Sequence, residues 1–130
     1  MGYGTNGLSF RTLRAANEAR LPLFKNSKGE PAHTQHDGFD WSISDWYEAM
    51  SGECGEFANL HKKFRRGDID AETFQREAKK ELADVAIYLD ILAKRCEIDL
   101  GDAIIEKFNE TSTKIGCPVM LGFDDDWHLK

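Results

Sequence analysis

Two pairs of acidic residues have the types and the spacing to bind a metal ion. Glu53 and Glu56 lie three positions apart, as do Glu81 and Asp84, and both pairs fall in stretches with helical periodicity. Side chains three residues apart on a helix share one face, with Cβ atoms about 5–6 Å apart. If the two helices pack against each other, the four carboxylates converge.

The acids lie on or beside apolar stripes. Glu53 occupies a gap in the first stripe, where a core residue is expected. Glu81 and Asp84 lie next to the second stripe, in line with Tyr88. The first stripe consists of Trp46, Met50, Phe57, Leu60 and Phe64, and the second of Ala78, Leu82, Val85, Leu89, Leu92 and Cys96.

Carboxylates in such positions need a compensating charge. Two like charges about 5 Å apart repel by roughly 3 kcal/mol at an effective dielectric constant of about 20. A divalent cation removes this repulsion, and oxygen ligands without nearby His or Cys favour magnesium or manganese. A single acid pair is more often a solvated helix face, but two pairs beside apolar stripes favour a site. Gly52 and Gly55 each cost the helix about 1 kcal/mol, which fits close approach of a backbone or a ligand.

Composition indicates a single-domain protein of the cytoplasm. The chain has 130 residues and a net charge of −6, which argues against binding to a nucleic-acid polymer. No apolar run reaches the roughly 20 residues that cross a membrane, and no signal peptide is recognisable. The three cysteines, Cys54, Cys96 and Cys117, form no paired motif, so we expect free thiols in a reducing compartment. Cys96 is expected in the core.

The pattern predicts an all-α fold with four main helices in an antiparallel bundle. Residues 25–43 have no period and are predicted to form a long loop, and the acidic tail, residues 119–130, is predicted to be extended or mobile. Residues 118–121 are too short to build a sheet. The predicted helices, after the caps Ser9, Ser44, Asp70 and Asp99, cover residues 10–20, 45–65, 71–97 and 100–113.

Several segments together resemble a known enzyme family. They are Gly-Glu-Cys-Gly-Glu-Phe-Ala-Asn at 52–59, Lys62-Lys63, Glu-Leu-Ala-Asp-Val-Ala-Ile-Tyr-Leu at 81–89, Ile-Asp-Leu-Gly-Asp-Ala-Ile at 98–104, and Lys107-Phe108-Asn109. In this helical context they resemble the MazG-like all-α nucleoside triphosphate pyrophosphohydrolases, and the second half is also similar to dCTP pyrophosphatases. The resemblance covers a catalytic core at residues 42–118. Residues 1–41 carry no match and are interpreted as a pocket or lid region.

The resemblance implies magnesium-dependent cleavage of a (d)NTP to the (d)NMP and pyrophosphate. Glu53, Glu56, Glu81 and Asp84 would be the metal ligands, with either Glu53 or Glu56 holding the attacking water instead. Related enzymes are commonly homodimers or larger, so we expect a homodimer whose helices form a shared bundle. Candidate substrate-binding residues are Trp41, Asn59, Lys62, Lys63, Tyr88, Lys107 and Asn109.

Each substrate candidate also has a structural interpretation. Lys62 and Lys63, with the arginines that follow, are equally well explained as a basic helix end, and Asn59 as a packed polar side chain. Trp46 fits the apolar stripe and is expected in the core, whereas Trp41 lies in the loop and is the better candidate for stacking on a base. Lys114 is a weaker candidate than Lys107. His33 and His36 are interpreted as a solvated pair.

Two other functions compete with the enzyme. One is a catalytically silent helical module that binds a nucleotide, a metal or a protein. The other is a di-iron carboxylate bundle, which uses Glu-x-x-His motifs. His61 follows Glu56 by five residues instead of three, which disfavours the di-iron alternative.

Overall fold

Four helices account for most of the chain, as the sequence predicts. The computed structural model describes residues 7–35, 37–122 and 127–129. None of the helices described is long and apolar enough to cross a lipid bilayer. The elements are α1 (Phe10–Arg20), a 3₁₀ turn (Leu21–Leu23), α2 (Ile43–Arg65), α3 (Ala71–Arg95), α4 (Leu100–Ile115) and two short strands, β1 (Val119–Leu121) and β2 (Trp127–Leu129). The all-α fold class is thereby confirmed.

Side-chain caps fix where the helices begin. Three predicted caps are confirmed, since a side-chain oxygen of each accepts a backbone N–H three residues on. The cap of α2 is Ser42 and not Ser44 as predicted. Asp45 explains the difference, because its carboxylate accepts the Ser42 N–H at 2.8 Å while the Ser42 hydroxyl accepts the Asp45 N–H at 3.2 Å. The confirmed caps are Ser9, Asp70 and Asp99.

Helices α2 and α3 form an antiparallel hairpin. Near the turn, the rings of Phe64 and Phe74 stack with centroids 4.9 Å apart. At the far end, the Trp46 and Tyr88 rings are 6.2 Å apart. Residues later in α2 thus contact residues earlier in α3. This register places Glu53 level with Glu81 and Asp84 of α3.

The buried face of α3 differs from the predicted one. Leu82 and Leu89, which the sequence places on the core seam, are 54% and 37% exposed. Cys96 was also predicted in the core, but it is exposed because α3 ends at Arg95. Glu81 is half-buried and faces α2. The buried apolar residues are Trp46, Ala78, Ile91, Ala93 and Met120, which confirms the core positions predicted for Trp46 and Ala78.

A buried carboxylate joins α1 to α3. Asp90 is 1% exposed, and each of its carboxylate oxygens has a partner on α1. The Arg14 Nε donates to Oδ1 at 3.0 Å, and the Asn17 Nδ2 donates to Oδ2 at 2.9 Å. Arg14 also donates to the Ile98 carbonyl at 3.0 Å, which ties the end of α3 into the same network. This polar contact fixes the position of α1 along α3.

The C-terminal residues form a small hairpin, which the sequence analysis did not predict. β1 and β2 pair antiparallel, with Val119 opposite Leu129 and Leu121 opposite Trp127. The Asn109 amide supports β1, because it donates to the Leu121 carbonyl at 3.0 Å and accepts the Leu121 N–H at 2.8 Å. The prediction of no sheet was therefore wrong, since a side chain from α4 supplies hydrogen bonds that so short a strand lacks. The acidic run at 124–126 lies outside the described residues.

Candidate metal centre and adjoining cavity

Three of the four predicted acids meet at one point. Glu53 on α2 and Glu81 and Asp84 on α3 each offer a carboxylate oxygen, and these oxygens lie within 4.8 Å of one another. The antiparallel hairpin causes the convergence, because it sets Glu53 against the inward face of α3. We call these three residues the carboxylate cluster.

Glu56 lies outside this cluster. It is exposed on α2, one helical turn beyond Glu53, although its charge still reaches the Glu53 carboxyl. Its predicted role as a ligand or water holder stays a prediction. Gly52 and Gly55 are also exposed, and nothing in the described chain lies within 4 Å of a Cβ built at either position.

Ionisation of all the carboxyl groups of the cluster together is unfavourable when no cation is bound. The pKa of Glu53 is raised to about 7, first by a side-chain hydrogen bond with Glu81, then by burial, and then by the charges of Asp84, Glu81 and Glu56. Such a shift measures how unfavourable it is to ionise all the acids together. A hard divalent cation would remove this cost, and the oxygen-only ligand set of the cluster fits Mg²⁺ or Mn²⁺.

A cavity of about 350 Å³ opens beside Asp84. Its walls come from α1, the loop after it and α3, and include Arg20, Phe24, His33 and Tyr88. Burial and the charges of Glu53 and Asp84 raise the pKa of Tyr88, whereas the charge of Arg20 lowers it. The phenol of Tyr88 therefore stays protonated near neutral pH and can donate a hydrogen bond. The cavity thus brings the Arg20 guanidinium, the Tyr88 phenol and the rings of Phe24 and His33 next to the carboxylate cluster.

His33 lies at the centre of an aromatic group. Its ring centroid is 5.3 Å from that of Phe24 and 4.9 Å from those of both Trp41 and Trp46. Burial lowers the pKa of His33 and so favours the neutral form of the ring. The prediction that this residue belongs to a solvated pair was wrong, because the Trp41 N–H donates to the His33 carbonyl at 3.0 Å and folds the loop inward. His36 lies outside the described residues.

Trp41 lines a different cavity from the one beside Asp84. The second cavity measures about 410 Å³ and shares His33 with the first. The Trp41 and Trp46 ring centroids are 4.8 Å apart, so the loop tryptophan packs edge-on against the core tryptophan. A base that stacked on Trp41 in the second cavity would therefore lie in a space that Asp84 does not line.

The remaining candidates do not line the cavity beside Asp84 as far as the chain is described. Asn59, Lys62 and Lys63 are exposed on α2, and Lys62 lies with His61 along a basic surface. The side-chain amide of Asn109 is hydrogen-bonded to the backbone of Leu121. Lys107 pairs with Glu110 at 3.3 Å. It stays a prediction that any of these residues, Lys107 or Lys114 binds the substrate.

No individual residue of α1 was predicted to contribute to the site, although residues 1–41 were interpreted as a pocket or lid region. Arg14, Asn17 and Arg20 repeat every three residues, in register with Arg11, and form a polar stripe along α1. That spacing was the available signal. It did not indicate a partner, because Asp90 stands between Leu89 and Ile91 in a run that reads as core.

Comparison with known proteins gives one partial match to a nucleotide pyrophosphatase. The chain is 37% identical over 65 residues to dCTP pyrophosphatase 1 of Rattus norvegicus. The match covers 47% of this chain and 38% of the rat protein. No protein-family model matches the chain, and no solved structure matches it either. The chain is thus similar, over about half its length, to an enzyme that acts on a nucleoside triphosphate.

Proposed function

We propose that this protein is a metal-dependent pyrophosphohydrolase that converts a (d)NTP to the (d)NMP and pyrophosphate. The observation that carries the proposal is the carboxylate cluster at the edge of a cavity with aromatic walls. Oxygen ligands for a divalent cation and a sheltered space for a nucleoside are the two parts that such a reaction needs. The similarity to dCTP pyrophosphatase 1 over 65 residues supports the same activity.

Each part of the site has a role in this reaction. Glu53, Glu81 and Asp84 would hold the cation, and Glu56 would orient a water from its exposed position one turn away. The bound Mg²⁺ or Mn²⁺ would supply positive charge to phosphate oxygens and lower the pKa of a water. The Tyr88 hydroxyl would donate a hydrogen bond to the substrate, while the neutral His33 ring and Phe24 would shelter the nucleoside from solvent.

Residues 1–41 contribute side chains to the proposed site. Arg20, Phe24 and His33 belong to that segment, and all three line the cavity next to Asp84. The catalytic acids of residues 42–118 are therefore only half of the proposed site. We propose that the segment shapes the nucleoside pocket, which makes it the part of the chain that decides base preference.

A substrate screen tests the activity. The eight common ribo- and deoxynucleoside triphosphates are each incubated with the protein and Mg²⁺, and the products are separated by ion-exchange chromatography. We expect a monophosphate and pyrophosphate in equal amounts from at least one substrate, and the name of the rat relative makes dCTP the first to try. Saturable binding with no product would instead support a silent binding module.

Removal of one ligand checks that the carboxylate cluster carries the activity. Asp84→Asn keeps the size of the side chain and removes its charge, so we expect turnover to be lost while the circular dichroism spectrum stays that of the wild type. Glu72→Gln is the matched control, because Glu72 is exposed on the same helix and outside the cluster. Wild-type rates in Asp84→Asn would contradict the assignment.

We also propose that the working unit is a homodimer. One chain leaves large apolar side chains exposed on each of its four helices, and we propose that those on α3 and α4 pack in a shared helical bundle. Leu82 and Leu89 on α3 are 54% and 37% exposed, and Phe108 and Ile115 on α4 are 41% and 70% exposed.

A further inference from the structure

Three side chains of α1 meet α3 at successive levels. Arg14 binds the Asp90 carboxylate, and Asn17 binds the same carboxylate and lies 3.4 Å from the Ile87 carbonyl. One turn later on α1, Arg20 lines the cavity with Tyr88 and Asp84. Later residues of α1 thus contact earlier residues of α3, so the end of α1 lies nearest to the carboxylate cluster. The buried network at Asp90 therefore determines which residue of α1 faces the cluster, and that residue is Arg20.

The guanidinium of Arg20 has no carboxylate partner within the described part of the chain. Its Cζ lies 5.4 Å from the centroid of the Phe24 ring, an aromatic contact that leaves its N–H donors available. Arg14 differs, because its donors are used on Asp90 and on the Ile98 carbonyl. Among residues 7–35, 37–122 and 127–129, Arg20 is therefore a positive charge with free donors, held by a fixed helix at the edge of the cavity beside Asp84.

We propose that Arg20 binds the phosphate chain of the nucleotide, on the side opposite the carboxylate cluster. This inference rests on the proposed function and adds a substrate-binding residue to it. A triphosphate in the cavity carries more negative charge than the bound cation neutralises, and the planar guanidinium can grip two phosphate oxygens at once. Phe24 would keep the guanidinium in place, since stacking limits the number of side-chain rotamers.

The ligand series that tests this role differs in phosphate only. The probes are the α,β-imido analogue of dCTP, whose α–β bridge is not cleaved, dCMP, and deoxycytidine, each titrated calorimetrically with Mg²⁺ present. For Arg20→Gln we expect the affinity for the imido triphosphate to fall about 10- to 100-fold, as for the loss of hydrogen bonds to a charged group. The affinity for deoxycytidine should stay the same. Arg20→Lys keeps the positive charge but lacks the planar guanidinium that binds two phosphate oxygens at once. Its affinity for the imido triphosphate should therefore lie between those of the wild type and Arg20→Gln.

Arg11→Gln is the matched control. It makes the same change on the same helix, but Arg11 lines the cavities near Asp99 and not the one beside Asp84. Its affinities for all three probes should equal those of the wild type. In steady-state assays, Arg20→Gln should raise KM for the triphosphate more than it lowers kcat.

The outcomes separate this inference from the proposed function. Equal affinities of Arg20→Gln and the wild type for the imido triphosphate would overturn the inference and leave the enzyme assignment intact. An equal loss for deoxycytidine and for the triphosphate would overturn it as well, because it would mean a role in folding or in base contact. If the wild type bound the probes but cleaved no triphosphate, the enzyme assignment would fail while the phosphate contact stood. A wild type that bound no probe would overturn both.

Discussion

At the scale of single residues, a proton on Glu53 would compete with a metal ion bound at the carboxylate cluster. The pKa of this carboxyl is raised to about 7 by its hydrogen bond with Glu81, its burial and the neighbouring acids. A cation binds the ionised carboxylate, so below that pH binding must displace a proton. The same group thus reports on the charge balance of the whole cluster.

We predict that the affinity for Mg²⁺ falls as the pH is lowered through 7. If one proton is displaced, the fall approaches about tenfold per pH unit on the acidic side of the pKa. Calorimetric titration without nucleotide at pH 6, 7 and 8 measures it, and two buffers of different ionisation enthalpy count the protons released. Glu53→Gln should bind more weakly, with a smaller dependence on pH. Equal affinity at pH 6 and pH 8 in the wild type would contradict this account.

The raised pKa of Glu53 also determines how the stability of the metal-free protein changes with pH. An acid whose pKa is higher in the folded state than in the unfolded chain stabilises the fold at low pH, and that contribution is lost as the pH rises through the folded value. For Glu53 the loss therefore occurs between the ordinary glutamate pKa of 4.5 and the raised pKa of about 7. Mg²⁺ should accordingly raise the melting temperature more at pH 8 than at pH 6.

Some residues of the site were predictable from the sequence and others were not. The i, i+3 spacing correctly placed Glu81 and Asp84 on one face, and the gap in the α2 stripe correctly indicated an inward position for Glu53. The fourth acid, Glu56, has the same spacing but lies outside the cluster. Periodicity defines the face on which a side chain lies, but not its distance from a partner helix, which depends on packing between elements.

At the scale of elements, the contact between α1 and α3 depends on Asp90. Removal of one partner from a buried ion pair leaves the other charge uncompensated, which costs about 3–5 kcal/mol. Arg14 retains 21% side-chain exposure, so water can reach part of the orphaned guanidinium. The Asn17 amide would lose its 2.9 Å hydrogen bond as well and keep the longer contact, 3.4 Å, with the Ile87 carbonyl.

We predict that Asp90→Ala lowers the free energy of unfolding by about 3 kcal/mol, as measured by urea denaturation followed by circular dichroism. Asp68→Ala is the matched control, since its ion pair with Arg66 lies on the surface with both side chains more than half exposed. Loss of such a pair costs about 1 kcal/mol or less. If both variants were destabilised equally, Asp90 would not be the residue that docks α1.

The helix ends were more predictable than the relations between helices. Caps are local signals, and three of the four predicted caps are confirmed because a Ser or Asp acts within three residues of its own position. The antiparallel pairing of β1 with β2 was missed because it depends on Asn109, ten residues before Val119 on another element. A long loop was predicted at residues 25–43, but its inward fold around His33 depends on the surrounding rings, which local sequence does not show.

At the scale of the whole molecule, the proposed homodimer rests on an exposed apolar stripe on α3. Leu82 and Leu89 are seven residues apart, so they share a face, and exposed Ala86 lies between them. Full burial of a leucine is worth about 1.5–3 kcal/mol, and a twofold interface would bury each residue twice. The carboxylate cluster occupies the other face of the helix, towards α2, so pairing through the stripe would leave the site open.

We predict that light scattering at tens of micromolar gives twice the chain mass of 14.7 kDa. Leu82→Glu should shift the protein towards monomer, because a dimer would have to bury two new charges at short distance. Leu23→Glu is the control, since Leu23 is 73% exposed on the 3₁₀ turn after α1, away from the stripe. It should leave the mass unchanged. A wild type of monomer mass would refute the dimer, and a Leu82→Glu variant that remained dimeric would move the interface to α4, where Phe108→Glu is the corresponding test.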